Sequence, residues 1–187
     1  MTRRGFLRGL LALGVWGGLW GRGVAAPPSS IKGIEELQKN WKGLIGKGIK
    51  VPLASEPLQL SKDQWRKRLE PFQFYILRKE GTERPWSSPL NDEKRPGIYA
   101  CAGCDLPLFT SDMKYESHTG WPSFFTTIPG VLGTTTDYKL IWPRTEYHCA
   151  RCDGHHGHIF GDGPRPTGDR WCNNGVALKF IPQSGKA

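Results

Sequence analysis

Two Cys-x-x-Cys pairs constrain this chain more than any other feature. Cys101-Ala102-Gly103-Cys104 and Cys149-Ala150-Arg151-Cys152 hold four of its five cysteines. Two-residue spacing in a tight turn lets both sulfurs point at one ion. Two such turns complete a tetrahedral sulfur site with bonds of about 2.3 Å, which suits Zn²⁺. The expectation is one structural zinc ion per chain, clipping together two remote parts of the fold. Two structural disulfides, or a redox pair in either motif, are the alternatives that the spacing leaves open.

Around these pairs the sequence reads as a small β domain. Gly97–Ala100, Pro107–Thr110, Leu140–Trp142, His158–Phe160 and Val176–Ile181 are short, rich in β-branched or aromatic residues, and bounded by turn residues. With 24 Gly and 15 Pro in 187 residues, short strands and loops are favoured over long helices. Upstream, Ser61 reads as the N-cap of a helix carrying Trp65 and Leu69 on one face and stopping at Pro71. One or two turns follow at Phe72–Lys79. Residues 27–55 lack periodicity and read as a poorly packed arm with a short helix near Ile34–Leu44. The expected fold is mainly β, antiparallel, with a helical N-terminal cap, and its domain occupies residues 56–187.

The first 26 residues read as an export signal. Thr2-Arg3-Arg4-Gly5-Phe6-Leu7 resembles a twin-arginine motif, an uncharged apolar stretch runs from Gly9 to Gly21, and Val24-Ala25-Ala26 offers small residues for cleavage. The apolar run is too short to span a bilayer, so no stable membrane insertion is expected, and the location implied is the periplasm. Without this segment the net charge falls from +9 to +5. The remaining Lys and Arg are scattered, which argues against a nucleic-acid partner. At 37% hydrophobic and 23% charged residues, neither a membrane-embedded nor a wholly disordered chain fits.

The fifth cysteine is the candidate for chemistry. Cys172 lies in Asp169-Arg170-Trp171-Cys172-Asn173-Asn174-Gly175. A neighbouring Arg170 lowers a thiol pKa and raises the thiolate fraction, and Asn174 can donate amide hydrogen bonds to a bound polar group. Upstream, His155-His156-Gly157-His158 offers groups that exchange protons near neutral pH. If the segment is extended, His155 and His156 face opposite sides, and Gly157 permits a bend before His158. Trp121, between Gly120 and Pro122, can present an indole wall to a methyl group. A small core cysteine and a core tryptophan remain the plain alternatives.

Taken in order, Thr82-Glu83, Tyr99–Cys104, Leu108-Phe109, Gly120-Trp121-Pro122-Ser123-Phe124, Cys149–Phe160, Asp162-Gly163-Pro164, Arg170–Asn174 and Leu178–Pro182 resemble the peptide-methionine (R)-S-oxide reductases, the B-type methionine sulfoxide reductases. The resemblance runs from about Glu56 to Pro182. It implies a β-tent of two antiparallel sheets, with zinc held by Cys101, Cys104, Cys149 and Cys152 away from the active site. It implies Cys172 as nucleophile, with Arg170, His155, His158 and Asn174 as active-site partners. Trp121, Ser123 and Phe124 fall on the substrate side, Trp121 against the S-methyl group. His156 stands where relatives are usually apolar and takes no catalytic role. The substrate implied is methionine R-sulfoxide, free or in proteins, reduced through a Cys172 sulfenic acid by a monomeric enzyme.

One position departs from the pattern. Many relatives carry a resolving cysteine where this chain has Thr119. With four cysteines on zinc, no internal disulfide can form, so a thioredoxin-like protein or a small thiol is the expected reductant. Trp171 is a milder change, where relatives often have Tyr or Phe.

Overall fold

A computed structural model describes residues 26–45, 51–139 and 142–183. The export signal and part of the Leu140–Trp142 segment lie outside the described residues. Among those described, no helix is long and apolar enough to cross a membrane.

Three short helices come first: α1 (Ile31–Lys39), α2 (Lys62–Arg68) and α3 (Pro71–Lys79). Ser61 caps α2, and Gln64 closes the reciprocal capping box. Pro71 opens α3 instead of merely stopping α2. It occupies the first turn, where its missing N–H costs no hydrogen bond. Helix α1, in the segment read as a poorly packed arm, docks on the domain. Ile34 of α1 is buried, and Gln38 Nε2 donates to Thr126 Oγ1 at 2.8 Å and to the Thr127 carbonyl at 3.1 Å.

Nine strands follow: β1 (Gly97–Cys101), β2 (Pro107–Thr110), β3 (Lys114–Tyr115), β4 (Ser123–Phe124), β5 (Leu132–Asp137), β6 (Arg144–Cys149), β7 (His155–Phe160), β8 (Arg170–Asn173) and β9 (Leu178–Pro182). They form two antiparallel sheets, ordered β2-β1-β9 and β3-β4-β8-β7-β6-β5. This is the mainly β, two-sheet architecture expected. The expected strand at Leu140–Trp142 is a departure. Trp142 is exposed in the connection between β5 and β6, not part of a strand. The strands on either side of it, Leu-Gly-Thr-Thr-Thr-Asp and Arg-Thr-Glu-Tyr-His-Cys, are largely polar and lack the apolar density that marks a buried strand.

The sheets meet over aromatic side chains. Phe109 of β2 stacks on Phe124 of β4 at 4.0 Å between ring centroids, and Tyr99 of β1 meets Phe124 edge-on at 5.0 Å. Tyr147 of β6 meets Trp171 of β8 at 5.0 Å. Tyr99, Phe109, Phe124 and Tyr147 are wholly buried. Rings in these offset and edge-on arrangements add about 0.5–1.5 kcal/mol per pair beyond area burial.

Candidate active site and metal centre

The larger sheet builds the site by register. Strand residues alternate between faces, and the ladder pairs Ser123 with Cys172, Cys172 with His158, His158 with Glu146, and Glu146 with Thr135. One row therefore crosses five strands on a single face. The next row, Phe124, Trp171 and Ile159, turns the other way into the core. This corrects the expectation for Phe124. It is fully buried against Phe109 and supports the site from behind rather than touching a ligand.

The register of β7 against β6 shifts by one residue, because Tyr147 pairs with Gly157 while His148 pairs with His155. His156 is the extra residue of this bulge. It stacks on Tyr147 in the core, and burial pushes its pKa down to about 3. The bulge also places His155 and His158 on the same face, with ring centroids 5.6 Å apart. Each ring is held by a carboxylate: His155 Nδ1 lies 2.7 Å from Glu146 Oε1, and His158 Nε2 lies 2.7 Å from Asp137 Oδ2. An ionised carboxylate only accepts, so these nitrogens carry the hydrogens. His155 Nε2 and His158 Nδ1 are left for other partners. Asp137 is held well below the usual carboxylate range, first by the Lys139 N–H and then by His158 and Arg144. Burial lowers the His158 pKa, and the bond to Asp137 opposes this.

A cavity of about 130 Å³ opens beside Cys172. Its walls include Trp121, His158, Phe160, Arg144, Thr82 and Asn174. His155 lies behind His158 and lines a neighbouring cleft instead. Trp121 is fixed by its indole N–H, which donates to the Glu83 carbonyl at 3.2 Å. The Asn174 amide is largely committed to the scaffold: Oδ1 accepts from the Glu83 N–H and Nδ2 donates to the His156 carbonyl, both at 2.9 Å. One hydrogen of that amide remains for a ligand. Glu83 organises this corner. Its buried carboxylate accepts from the Gly175 and Val176 N–H groups at 2.6 and 3.0 Å. Ser123 is buried and donates to the Trp121 carbonyl at 3.0 Å, which makes it a support for the indole rather than a cavity wall.

Cys172 is half-buried, and burial raises its thiol pKa above the ordinary value. The Arg170 charge and the Thr119 hydroxyl act in the opposite direction without prevailing. Arg170 thus favours the thiolate, as expected from its place beside Cys172, but burial outweighs it. The Arg170 guanidinium is spread over Asp162 in a two-pronged pair at 2.7 and 3.0 Å and lies 4.3 Å from the Phe160 ring centroid.

The other four cysteines gather at one buried point, all sulfurs within 4.8 Å of one another. Cys101 and Cys152 are 3.7 Å apart, and Cys104 and Cys149 are 3.5 Å apart. Four sulfurs about 2.3 Å from a central ion form a tetrahedron with edges of roughly 3.8 Å, so the cluster fits a metal ion. The two turns are alike: the Asp105 and Asp153 N–H groups each return to the first cysteine's carbonyl, at 2.8 and 2.9 Å, from a positive φ. Four thiolates around a divalent ion leave a 2− charge. Three guanidiniums answer it by donating to nearby carbonyls: Arg68 to Gly103, Arg78 to Cys152 and Arg151 to Cys104. Strand β6 carries Cys149 at one end and the cavity residue Arg144 at the other, roughly 17 Å away along an extended strand.

Sequence reasoning missed Glu146, Asp137, Arg144 and Phe160. The two carboxylates sit in polar strands, β6 beside β7 and β5 beyond it, whose pairing no local pattern reveals. Phe160 belongs to a quoted motif, but its place in the wall depends on how β7 lies beside β8.

Comparison with known proteins gives a consistent picture. The family model described as the SelR domain matches residues 69–182. "Peptide methionine sulfoxide reductase MsrB" of Pseudomonas putida is 48% identical over 124 residues, covering 66% of this chain and 93% of that protein. "Methionine-R-sulfoxide reductase B2, mitochondrial" of Rattus norvegicus is 46% identical over 146 residues, covering 73% and 83%. "Peptide methionine sulfoxide reductase B1, chloroplastic" of Arabidopsis thaliana is 48% identical over 127 residues. That match spans 67% of this chain but only 63% of the relative's length.

Proposed function

Because the chain belongs to the SelR-domain family of B-type methionine sulfoxide reductases, we propose that it reduces methionine R-sulfoxide, free or within proteins, to methionine. The observation that carries this reading is the pairing of Cys172 with His158 across one ladder, beneath the Trp121 indole, in an open cavity.

The chemistry balances as follows. The Cys172 sulfur attacks the sulfoxide sulfur, the S–O bond passes its oxygen to Cys172, and methionine leaves. Thiol and sulfoxide become sulfenic acid and thioether, with no net proton gained or lost. A buried, protonated thiol is therefore a competent starting state, provided its proton reaches the sulfoxide oxygen. His158, with Nδ1 free, is suited to take that proton and deliver it. Trp121 and Phe160 form apolar walls for the S-methyl group, and the spare Asn174 hydrogen faces the oxygen. Opposed apolar and polar walls are what would select one epimer.

The sulfenic acid then condenses with an external thiol, releasing water, and a second thiol frees Cys172 as a mixed disulfide is cleaved. The presence of Thr119, and the commitment of the other four sulfurs to a structural Zn²⁺, support an external reductant. The ion contributes folding energy alone. We also assign the work to the periplasm, to repair of exported proteins, and to a monomer. The twin-arginine-like start supports the first two, since that route carries folded, metal-loaded proteins.

The test is turnover on separated R and S epimers of methionine sulfoxide, beside Cys172→Ser. The R epimer alone should be reduced, with activity lost in a folded variant. Mass spectrometry after one turnover without reductant should find one added oxygen on Cys172. Reduction of the S epimer instead, or an internal disulfide, would overturn the reading.

A further inference from the structure

The two histidines of the site are each held by a carboxylate, but the two carboxylates are not equivalent. Glu146 meets His155 Nδ1 at 2.7 Å and, on its other oxygen, accepts from the neutral Thr135 hydroxyl at 3.1 Å. Asp137 carries a cation as well. Its Oδ2 lies 2.7 Å from His158 Nε2 and, on the same atom, accepts from Arg144 Nη2 at 2.6 Å. Its Oδ1 accepts from the Lys139 N–H at 2.8 Å. The side chains of Asp137, His158 and Arg144 are 7%, 13% and 30% exposed, so their charges act on one another with less screening than in open water. Arg144 and His158 both line the cavity beside Cys172.

A carboxylate bonded to an imidazole favours the imidazolium, because it sets a negative charge beside the positive one. An imidazolium carries hydrogens on both nitrogens. In that state Nδ1 of His158 has no lone pair with which to take the Cys172 proton. A guanidinium on the same carboxylate oxygen cancels the pull, and its own charge repels a second cation. Arg144 does this at every working pH, since a guanidinium does not give up its proton.

We infer that Arg144 is a positioning residue that acts by charge: sharing the Asp137 oxygen with His158, it keeps that ring neutral, with Nδ1 open, near neutral pH. The inference deepens the role given to His158 above and rests on that reading. The other titratable groups facing the ring are Glu146 opposite it on β6, Cys172 opposite it on β8, and His155 on its own strand. Lys139 turns its ammonium to Glu80, and Arg170 is paired with Asp162. All of these are unchanged in the variants below. The direction of the His158 pKa agrees: burial is the largest cause lowering it, the bond to Asp137 opposes, and the Arg144 charge lowers it further.

The experiment follows the His158 Cε1–H resonance by NMR across pH in the metal-loaded protein, the peak being assigned by its loss in His158→Asn. Arg144→Met, which keeps much of the length and removes the charge, should raise the His158 pKa by about one unit. Arg144→Gln, neutral but still able to donate to Asp137, should raise it as well. Arg144→Lys, which keeps the charge, should return it towards the original value. In single-turnover methionine release, the acid limb of the pH profile should move to higher pH with the raised pKa. An unmoved resonance in Arg144→Met or Arg144→Gln, or the same shift in Arg144→Lys as in the neutral variants, would refute the inference. The titration needs no turnover, so shifts that follow charge in a protein inactive on the sulfoxide would remove the proposed function and leave the role of Arg144 standing.

Discussion

At His158, the bond from Nε2 to Asp137 leaves Nδ1 as the ring nitrogen able to exchange a proton in the cavity. His158→Asn should therefore cut single-turnover methionine release by about 10²–10³-fold while leaving Cys172 alkylation intact. His155 bonds Glu146 and stands behind, so His155→Asn should cost less in the same assay. His156 matters for stability instead. Its folded pKa of about 3 lies below the value of about 6.5 in an unfolded chain. The stabilisation is complete above pH 6.5 and drains away as the pH falls towards 3. At pH 4.5 the loss should reach about 2–3 kcal/mol, and His156→Phe, keeping a ring against Tyr147, should flatten that slope in urea unfolding.

Strand β7 shows how closely the elements depend on single residues. A Cβ on Gly157 would fall 2.0 Å from the Cys172 carbonyl oxygen. Gly157→Ala must push β7 and β8 apart just where Cys172 sits. It should destabilise the protein by about 1–3 kcal/mol in denaturant unfolding and lower turnover further than that loss explains. The sequence pointed to an unusual backbone at this glycine. It could not show the bulge at His156, because a one-residue shift is settled by how Tyr147 and Glu146 seat against β7. The α2 cap, β1, β2 and the cysteine turns were legible, since each rests on local capping, apolar alternation or spacing. Strands β5 and β6 were not, because their Thr, Glu and Arg residues face a solvated edge and the active-site row rather than the core. The docked arm was also hidden: Gln38 finds Thr126, 88 positions away, by contacts no short window contains.

Across the whole molecule, the cysteine cluster joins what the chain keeps apart. Cys101 ends a strand of the small sheet and Cys149 a strand of the large one. Cys101→Ser should release the metal and lower stability by about 5 kcal/mol or more. Far-UV circular dichroism and zinc content should fall together, because neither sheet retains its partner. One rigid strand also gives the protein a liability of its own. Peroxide that attacked a cluster sulfur would free the ion at one tip of β6 and slacken Arg144 at the other. The activity proposed above would then be lost under oxidising conditions, as the protein's own thiols were consumed.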